Sequence, residues 1–452
     1  MSDISACFKA YDIRGRVPDE LDADLARRIG LACAAELRPE TVCVGRDVRL
    51  SGPELAAALM DGLEAGGADV VDTGLCGSEE LYHAVFSRGF GAGIMVTASH
   101  NPADWNGMKI VRAGAAPVSG ESGLFAVRDR ILAGDLPRAA RRGRRTAASY
   151  RVEYAALLLS LLGEDGSAAL RPLRIVANAG NGCAWPALSA LLPALPGTII
   201  PLFERPDGSF PNGVPNPLLP ENRAATSRAV LEHKADLGAA WDGDFDRCFF
   251  FDEQGRFVES YYLVGLLAAT LLQTRPGERI LHDTRLVWNT REMAEEAGGI
   301  PLEGKTGHAF MKERMRRDNI LYGGEMSAHH YFRDFSFCDS GMLAWLLLWQ
   351  VMSRSGKPLS ALVGERIERY PVSGEVNRSV ADARLAQDRV QRRFAREALV
   401  VTHLDGLSMD MGDWRFNLRS SNTEALLRLN VESRGDRALM EKKRDEVLAL
   451  VE

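Results

Sequence analysis

The densest group of ionisable side chains is Asp242-Gly243-Asp244-Phe245-Asp246-Arg247, preceded by the apolar stretch Leu237 to Trp241 and followed by Cys248-Phe249-Phe250-Phe251. Three carboxylates at alternating positions repel one another unless a cation sits among them. On an extended strand they share one face and in a tight loop they converge; hard oxygen ligands beside a glycine suit Mg²⁺ or Ca²⁺. Asp242, Asp244, Asp246 and Glu253 also match the acidic positions of an EF-hand loop. Arg247 stands where that loop needs its glycine, strand-like phenylalanines fill its second half, and no amphipathic helix leads in, so the EF-hand reading is set aside. A plain acidic surface turn is the simpler alternative.

Three further loops carry reactive or binding groups. Ile94-Met95-Val96-Thr97-Ala98-Ser99-His100-Asn101-Pro102 is an apolar strand running into a small polar loop. It places Ser99 as a nucleophile is placed, with His100 and Lys109 as polar partners. No Gly-x-Ser-x-Gly elbow surrounds Ser99, which argues against a serine hydrolase; a structural turn and a nucleophile fit this loop equally well. Gly323-Gly324-Glu325-Met326-Ser327-Ala328-His329-His330 follows Ile320-Leu321-Tyr322. Its carboxylate and hydroxyl suit vicinal sugar hydroxyls, and its imidazoles suit proton transfer or phosphate contact. Zinc is the rival ligand, without a supporting Glu-x-x-His or His-x₃-His spacing. Arg419-Ser420-Ser421-Asn422-Thr423 lies between the alternating stretches Trp414 to Leu418 and Leu427 to Val431. One guanidinium, three hydroxyls and an amide make a phosphate cradle, and an ordinary hairpin turn uses the same residue types.

These loops need a framework. Val42-Cys43-Val44, Arg174-Ile175-Val176 and Arg279-Ile280-Leu281 each begin a strand, a polar loop and a helix entry. Ser51 with Glu54 has capping-box spacing with Pro53 in the first turn, and a third helix is predicted to open at Asn289 with Glu292 three residues on. Alternating strands and helices imply α/β layers. Three such units predict three α/β domains of related topology, the alternative being one large sheet. The basic stretch Arg138 to Tyr150 reads as a solvated linker, and Asp207 to Pro220 as an irregular surface segment. After Glu368 the pattern changes to two alternating strands and a closing charged helix from about Asp436, a small α+β domain. The expected boundaries are 1–147, 148–252, 253–367 and 368–452.

With 452 residues, 61 acidic against 55 basic side chains and a net charge of −6, the chain is large enough for several domains and is not built to neutralise polyanions. Neither nucleic acid nor a membrane is expected as a partner. Met1 to Lys9 lacks the basic and apolar regions of a signal peptide, and Met342 to Met352 is too short to span a bilayer, which suits a buried helix. Seven widely spaced cysteines without a Cys-x-x-Cys pair suggest reduced thiols in a cytoplasm.

Taken in order, Thr97 to Pro102, Asp242 to Arg247, Gly324 to Ser327 and Arg419 to Thr423 resemble the α-D-phosphohexomutase family. The likeness extends to Tyr11-Asp12-Ile13-Arg14-Gly15, Gly45-Arg46-Asp47 with Arg49-Leu50-Ser51-Gly52, Asn106-Gly107-Met108-Lys109 and Lys305-Thr306-Gly307-His308, and so covers nearly the whole chain. It implies three related α/β domains and a TATA-box-binding-protein-like fourth around a central cleft. It also implies a phosphomannomutase that interconverts mannose 6-phosphate and mannose 1-phosphate for GDP-mannose and polysaccharide synthesis, with a phosphoglucomutase or dual enzyme as the alternative and a non-catalytic sugar-phosphate sensor as a remote one. Glu325-Met326-Ser327 is similar to the mannose-type and dual enzymes.

By the same resemblance Ser99 is the phosphoserine, and Asp242, Asp244 and Asp246 hold Mg²⁺ together with Ser99. Glu325 and Ser327 grip sugar hydroxyls, while Arg419, Ser421, Asn422, Thr423 and Arg428 hold the phosphate not being transferred. Tyr11, Arg14, His100, Lys109, Arg247, Lys305, His308 and His329 act as substrate, electrostatic or proton-transfer groups, Lys109 being the first choice of general base and His329 the second. A hexose 1,6-bisphosphate activator and a monomer or weak dimer are expected. Arg285 for Lys, Trp105 for Tyr and Ala425 for Pro are the departures.

Overall fold

The structure, a computed structural model, describes residues 4–164, 166–420 and 426–451. The chain divides into two compact units, one of residues 1–257 and 331–356, the other of residues 258–330 and 357–452. Each is built on twisted sheets with helices packed against them, together giving the four-domain α/β architecture with mixed sheets.

In the first unit, the leading sheet is ordered Ile13–Arg16, Trp105–Arg112, Ala92–Val96, Thr41–Arg46, Asp69–Leu75, Arg145–Ala147. The strands Thr41–Arg46, Asp69–Leu75 and Ala92–Val96 run parallel, and Trp105–Arg112 is antiparallel to both of its neighbours. All five residues of Ala92–Val96 are buried, as a strand covered on both faces requires. Helices Ala23–Leu37 and Gly52–Ala65 pack so closely that a Cβ on Gly62 would come 2.1 Å from the Arg27 carbonyl. A second sheet carries Arg174–Asn178 and Thr198–Leu202 parallel to Leu237–Trp241, which then turns antiparallel into Cys248–Phe251. The Asp242 loop is therefore a hairpin connection between two fully buried strands.

The Leu/Trp-rich stretch near residue 345 forms the helix Gly341–Ser355, buried along nearly its whole length. Ser340 caps it by accepting the Leu343 N–H at 2.9 Å. Its hydroxyl donates to Glu79, whose other oxygen accepts the Met342 N–H at 3.1 Å. Burial pushes the Glu79 carboxyl well above the usual range. Gly341 lies under the acidic loop, where a Cβ would stand 2.7 Å from the Phe245 carbonyl.

Three local expectations are corrected. Ser51 makes no side-chain cap; its hydroxyl accepts the Asn106 amide at 2.9 Å instead. Asn289 lies inside the helix Trp288–Glu296 and accepts from Arg366 Nε at 2.6 Å, while Glu292 pairs with Arg366 rather than closing a capping box. The basic stretch 138–150 is more than a linker: Arg145–Ala147 is an edge strand, and Arg141, Arg142 and Arg145 pair with Asp69, Glu64 and Asp61.

In the second unit, Arg279–Asp283 is flanked by Ile300–Gly304 and Tyr322–Gly324, all parallel. An antiparallel sheet of five strands runs Val376–Ser379, Leu426–Ser433, Trp414–Ser420, Leu407–Asp410, Val400–Thr402. Helices Ala383–Phe394 and Arg437–Val451 bury Val390, Phe394, Val447 and Val451 against it, as expected of an α+β domain. Glu432 ties the two sheets together. Its carboxylate is fully buried and accepts from Arg415 Nη1 at 2.8 Å, the Val287 N–H at 2.7 Å and the Tyr261 hydroxyl. Removing one member of a buried charge network strands the others. Glu432→Ala is expected to cost about 3–5 kcal/mol in urea unfolding, and a loss below 1 kcal/mol would show that this contact does not hold the sheets together.

Candidate active site

Ser99 sits just past the end of the buried strand Ala92–Val96 in a left-handed conformation, φ 50°. For a non-glycine residue this backbone is uncommon and needs surrounding support. Arg49 supplies it: the guanidinium donates to the carbonyls of Ser99 (3.0 Å), Asn101 (2.6 Å), Pro102 (2.6 Å) and Trp105 (2.7 Å). Asp47 anchors Arg49 at 3.3 Å and accepts from Thr97 Oγ1 at 2.6 Å, while Thr97 Oγ1 accepts the Ser99 N–H at 2.9 Å. Arg14 adds a second hold through Asn101 and through Asp12 at 2.8 Å. Gly107 and Gly243 bring the neighbouring chain in; a Cβ on Gly243 would stand 2.5 Å from the Ser99 carbonyl.

This support aims the Ser99 hydroxyl at Asp242 Oδ2, 2.6 Å away, with His100 Nδ1 3.0 Å from Ser99 Oγ. Oxygens of Asp242, Asp244 and Asp246 all lie within 4.8 Å of one another, and all three residues are buried. Lys109 answers part of that charge: its ammonium donates to Asp244 at 2.7 Å and to Asp246. Ser78 also donates to Asp244. Burial and the neighbouring Asp246 and Asp244 charges push the Asp242 carboxyl up to about 7. Burial by itself lowers the Lys109 pKa, but Asp244 and Asp246 hold it well above its ordinary value. His100 moves the other way, well below its usual range, through burial and then the Arg247, Arg14 and Lys109 charges. Arg247 stands 3.9 Å from Asp242. Among the described residues, Asp244 Oδ1 is buried without a hydrogen-bond partner. An unpaired carboxylate oxygen beside two more carboxylates is a fitting donor set for a divalent ion.

The second unit holds the residues expected to meet the sugar and the phosphate not being transferred. Glu325 accepts the Gly307 N–H at 2.9 Å and lies 3.1 Å from His329 Nδ1. His308 is buried, its ring centred 6.2 Å from that of His329. Ser327 accepts from Arg285 Nη2 at 3.3 Å. Met326 is buried, with its N–H on Asp283 and its sulfur 3.2 Å from Asn430 Nδ2. Lys305 is exposed, its ammonium over the Phe310 ring at 4.4 Å. Arg419 and Arg428 face each other across adjacent strands. Ser421, Asn422 and Thr423 lie outside the described residues.

In the first unit, then, the expected residues Arg14, Ser99, His100, Lys109, Asp242, Asp244, Asp246 and Arg247 come together, with Tyr11 two residues before the strand that carries Arg14. The second holds Glu325, Ser327, His308 and His329. Sequence reasoning left Arg49, Ser78, Asp283 and Glu375 without a role. The Asp-x-Arg spacing shared by Asp47-Arg49 and Asp283-Arg285 was the available signal.

All four domain models described as "Phosphoglucomutase/phosphomannomutase" match in order: alpha/beta/alpha domain I at residues 5–136, domain II at 157–255, domain III at 259–370 and the C-terminal domain at 375–450. The chain belongs to the phosphoglucomutase/phosphomannomutase family. It is 55% identical to "Phosphohexose mutases" of Xanthomonas campestris pv. campestris and 51% identical to "Phosphomannomutase" of Escherichia coli K12, each over 98% of both chains. Among solved structures, a phosphoglucomutase/phosphomannomutase family protein of Burkholderia thailandensis superposes with a TM-score of 0.88 at 32% identity, covering 98% of this chain and 96% of the other. This phosphohexomutase is thus an isomerase that moves a phosphoryl group within a phosphosugar.

Arg49→Lys tests the support of the serine loop in this phosphohexomutase. A lysine cannot span four carbonyls, so with Ser99 as the expected nucleophile kcat should fall about 100-fold through lost orientation. Near-normal turnover of the variant would show that Arg49 does not position Ser99.

Proposed function

We propose that the enzyme is a phosphomannomutase in which phosphorylated Ser99 donates its phosphoryl group to O1 of mannose 6-phosphate. The serine Oγ–P bond breaks, the sugar O1–P bond forms, and the hydroxyl proton passes to a base. The resulting mannose 1,6-bisphosphate turns over and returns its 6-phosphoryl to Ser99, leaving mannose 1-phosphate as a precursor for GDP-mannose and polysaccharide synthesis. The observation that carries the reading is the Ser99 hydroxyl 2.6 Å from Asp242 within a buried carboxylate triad. Phosphoryl transfer depends on positioning and charge neutralisation more than on other covalent chemistry.

The triad oxygens of Asp242, Asp244 and Asp246, with Ser99, would hold Mg²⁺, which supplies charge neutralisation for the transferring phosphoryl group. Lys109 and Arg247 add fixed positive charge at the same place. Held by Asp244 and Asp246, Lys109 is a cation rather than a base. His329 is the other candidate base, its Nδ1 standing 3.1 Å from the Glu325 carboxylate. Glu325 and Ser327 would take sugar hydroxyls, and Arg419 and Arg428 the spectator phosphate. A hexose 1,6-bisphosphate would restore phospho-Ser99 whenever the intermediate escapes.

Mannose preference rests on Glu325-Met326-Ser327 and on the phosphomannomutase relatives. Initial rates on mannose 1-phosphate and glucose 1-phosphate, with a bisphosphate activator present, are expected to favour mannose in kcat/KM; a clear glucose preference would make the enzyme a phosphoglucomutase. Removing divalent ions with a chelator is expected to abolish turnover, and Mg²⁺ is expected to restore it. Asp244→Asn, which takes one charge from the triad, should lower kcat at least about 100-fold. Full activity in the chelated enzyme would contradict the metal assignment.

A further inference from the structure

The arginines assigned to the spectator phosphate already have an anion between them. Arg419 and Arg428 are direct cross-strand partners. Like charges so placed are destabilising. Glu375, immediately before the strand Val376–Ser379, resolves the conflict: Oε2 accepts from Arg419 at 3.1 Å and Oε1 from Arg428 at 3.2 Å. Arg285, carried on the loop after the strand Arg279–Asp283, brings a third guanidinium to within 3.5 Å of Oε2. Burial pushes the Glu375 pKa up, but Arg285, Arg419 and Arg428 more than offset it, so the carboxylate is held below its usual range. It is therefore a permanent anion in a place where a phosphate dianion has to compete for the same N–H groups.

A mutase has a specific use for such competition. Its bisphosphate intermediate offers first one phosphate and then the other to this cluster, so it must let go between the two transfers. Each guanidinium freed of its carboxylate strengthens the hold on a phosphate and so slows its release, while a cluster too weakly charged loses the intermediate. We infer that Glu375 is an internal competitor that limits the affinity of the Arg419/Arg428 cluster for phosphate, and so sets how readily the intermediate turns over. As a positioning residue it acts through the arginines and does not touch the reacting atoms.

This inference rests on the assignment of Arg419 and Arg428 to phosphate, and the test separates the two. Titration of inorganic phosphate and of mannose 6-phosphate into Ser99→Ala protein, which cannot turn over, gives the affinities directly. Adding Glu375→Gln, which keeps the shape and removes the charge, is expected to tighten both by about tenfold, the equivalent of about 1.4 kcal/mol. Glu375→Ser must move in the same direction, and Glu375→Asp must stay near the parent value. With Ser99 intact, Glu375→Gln should lower KM and kcat together, a split that simple loss of structure does not produce. Weaker or unchanged binding in both charge-removing variants overturns the inference. If Arg419→Ala leaves phosphate binding unchanged, it is the phosphate assignment itself that fails.

Discussion

Three carboxylates buried within 4.8 Å of one another set the main constraint on this enzyme. In water such a group would be held apart by hydration; within the protein its charge has to be met by cations and hydrogen-bond donors placed in advance. The first unit is arranged around that requirement. Lys109 reaches Asp244 and Asp246 from a strand antiparallel to the one that leads to Ser99. Ser78 approaches from the start of a helix, and Arg247 stands beside Asp242. The fully buried strands on either side of the acidic loop, with Gly341 pressed beneath it, hold the carboxylates in place despite their repulsion. In the proposed mechanism a site so charged stabilises a transferring phosphoryl group only if Ser99 is fixed beside it, and Arg49 holds the backbone carbonyls of that loop.

The two units repeat a device with different outcomes. Asp47 Oδ1 accepts the Arg49 N–H at 2.9 Å, and Asp283 Oδ1 accepts the Arg285 N–H at 3.0 Å; Asn178 turns its loop in the same way through the Gly180 N–H. All three turns follow a parallel strand, consistent with related domains. In the first, the arginine is spent on backbone carbonyls and shapes the serine loop. In the third, Arg285 remains among side chains, touching Ser327 and Glu375. A shared local geometry thus holds the backbone of the Ser99 loop in one domain and meets the side chains of Ser327 and Glu375 in another.

Much of this was legible in the sequence, for physical reasons. Continuous apolar runs such as Ile94-Met95-Val96 mark buried strands, and the Asp242 loop stands out because crowded carboxylates require an explanation. The roles of Arg49 and Glu375 were hidden because the carbonyls that Arg49 holds and the arginines that Glu375 pairs with lie at least 44 residues away, and a single arginine or glutamate has no periodicity. Ser51 and Asn289 show the opposite error. Both have the residue types of a helix start, yet tertiary partners Asn106 and Arg366 take their side chains. The stretch 138–150 misled through composition, since its arginines are matched by acidic residues far back in the chain.

The central claim is that Ser99 carries the phosphoryl group, and its most direct test is the mass of the intact protein before and after incubation with mannose 1,6-bisphosphate and Mg²⁺. The account predicts one added phosphoryl group mapping to Ser99, removed by mannose 6-phosphate and absent from Ser99→Ala. An unmodified Ser99 under these conditions, or a phosphoryl group mapping elsewhere, would contradict it.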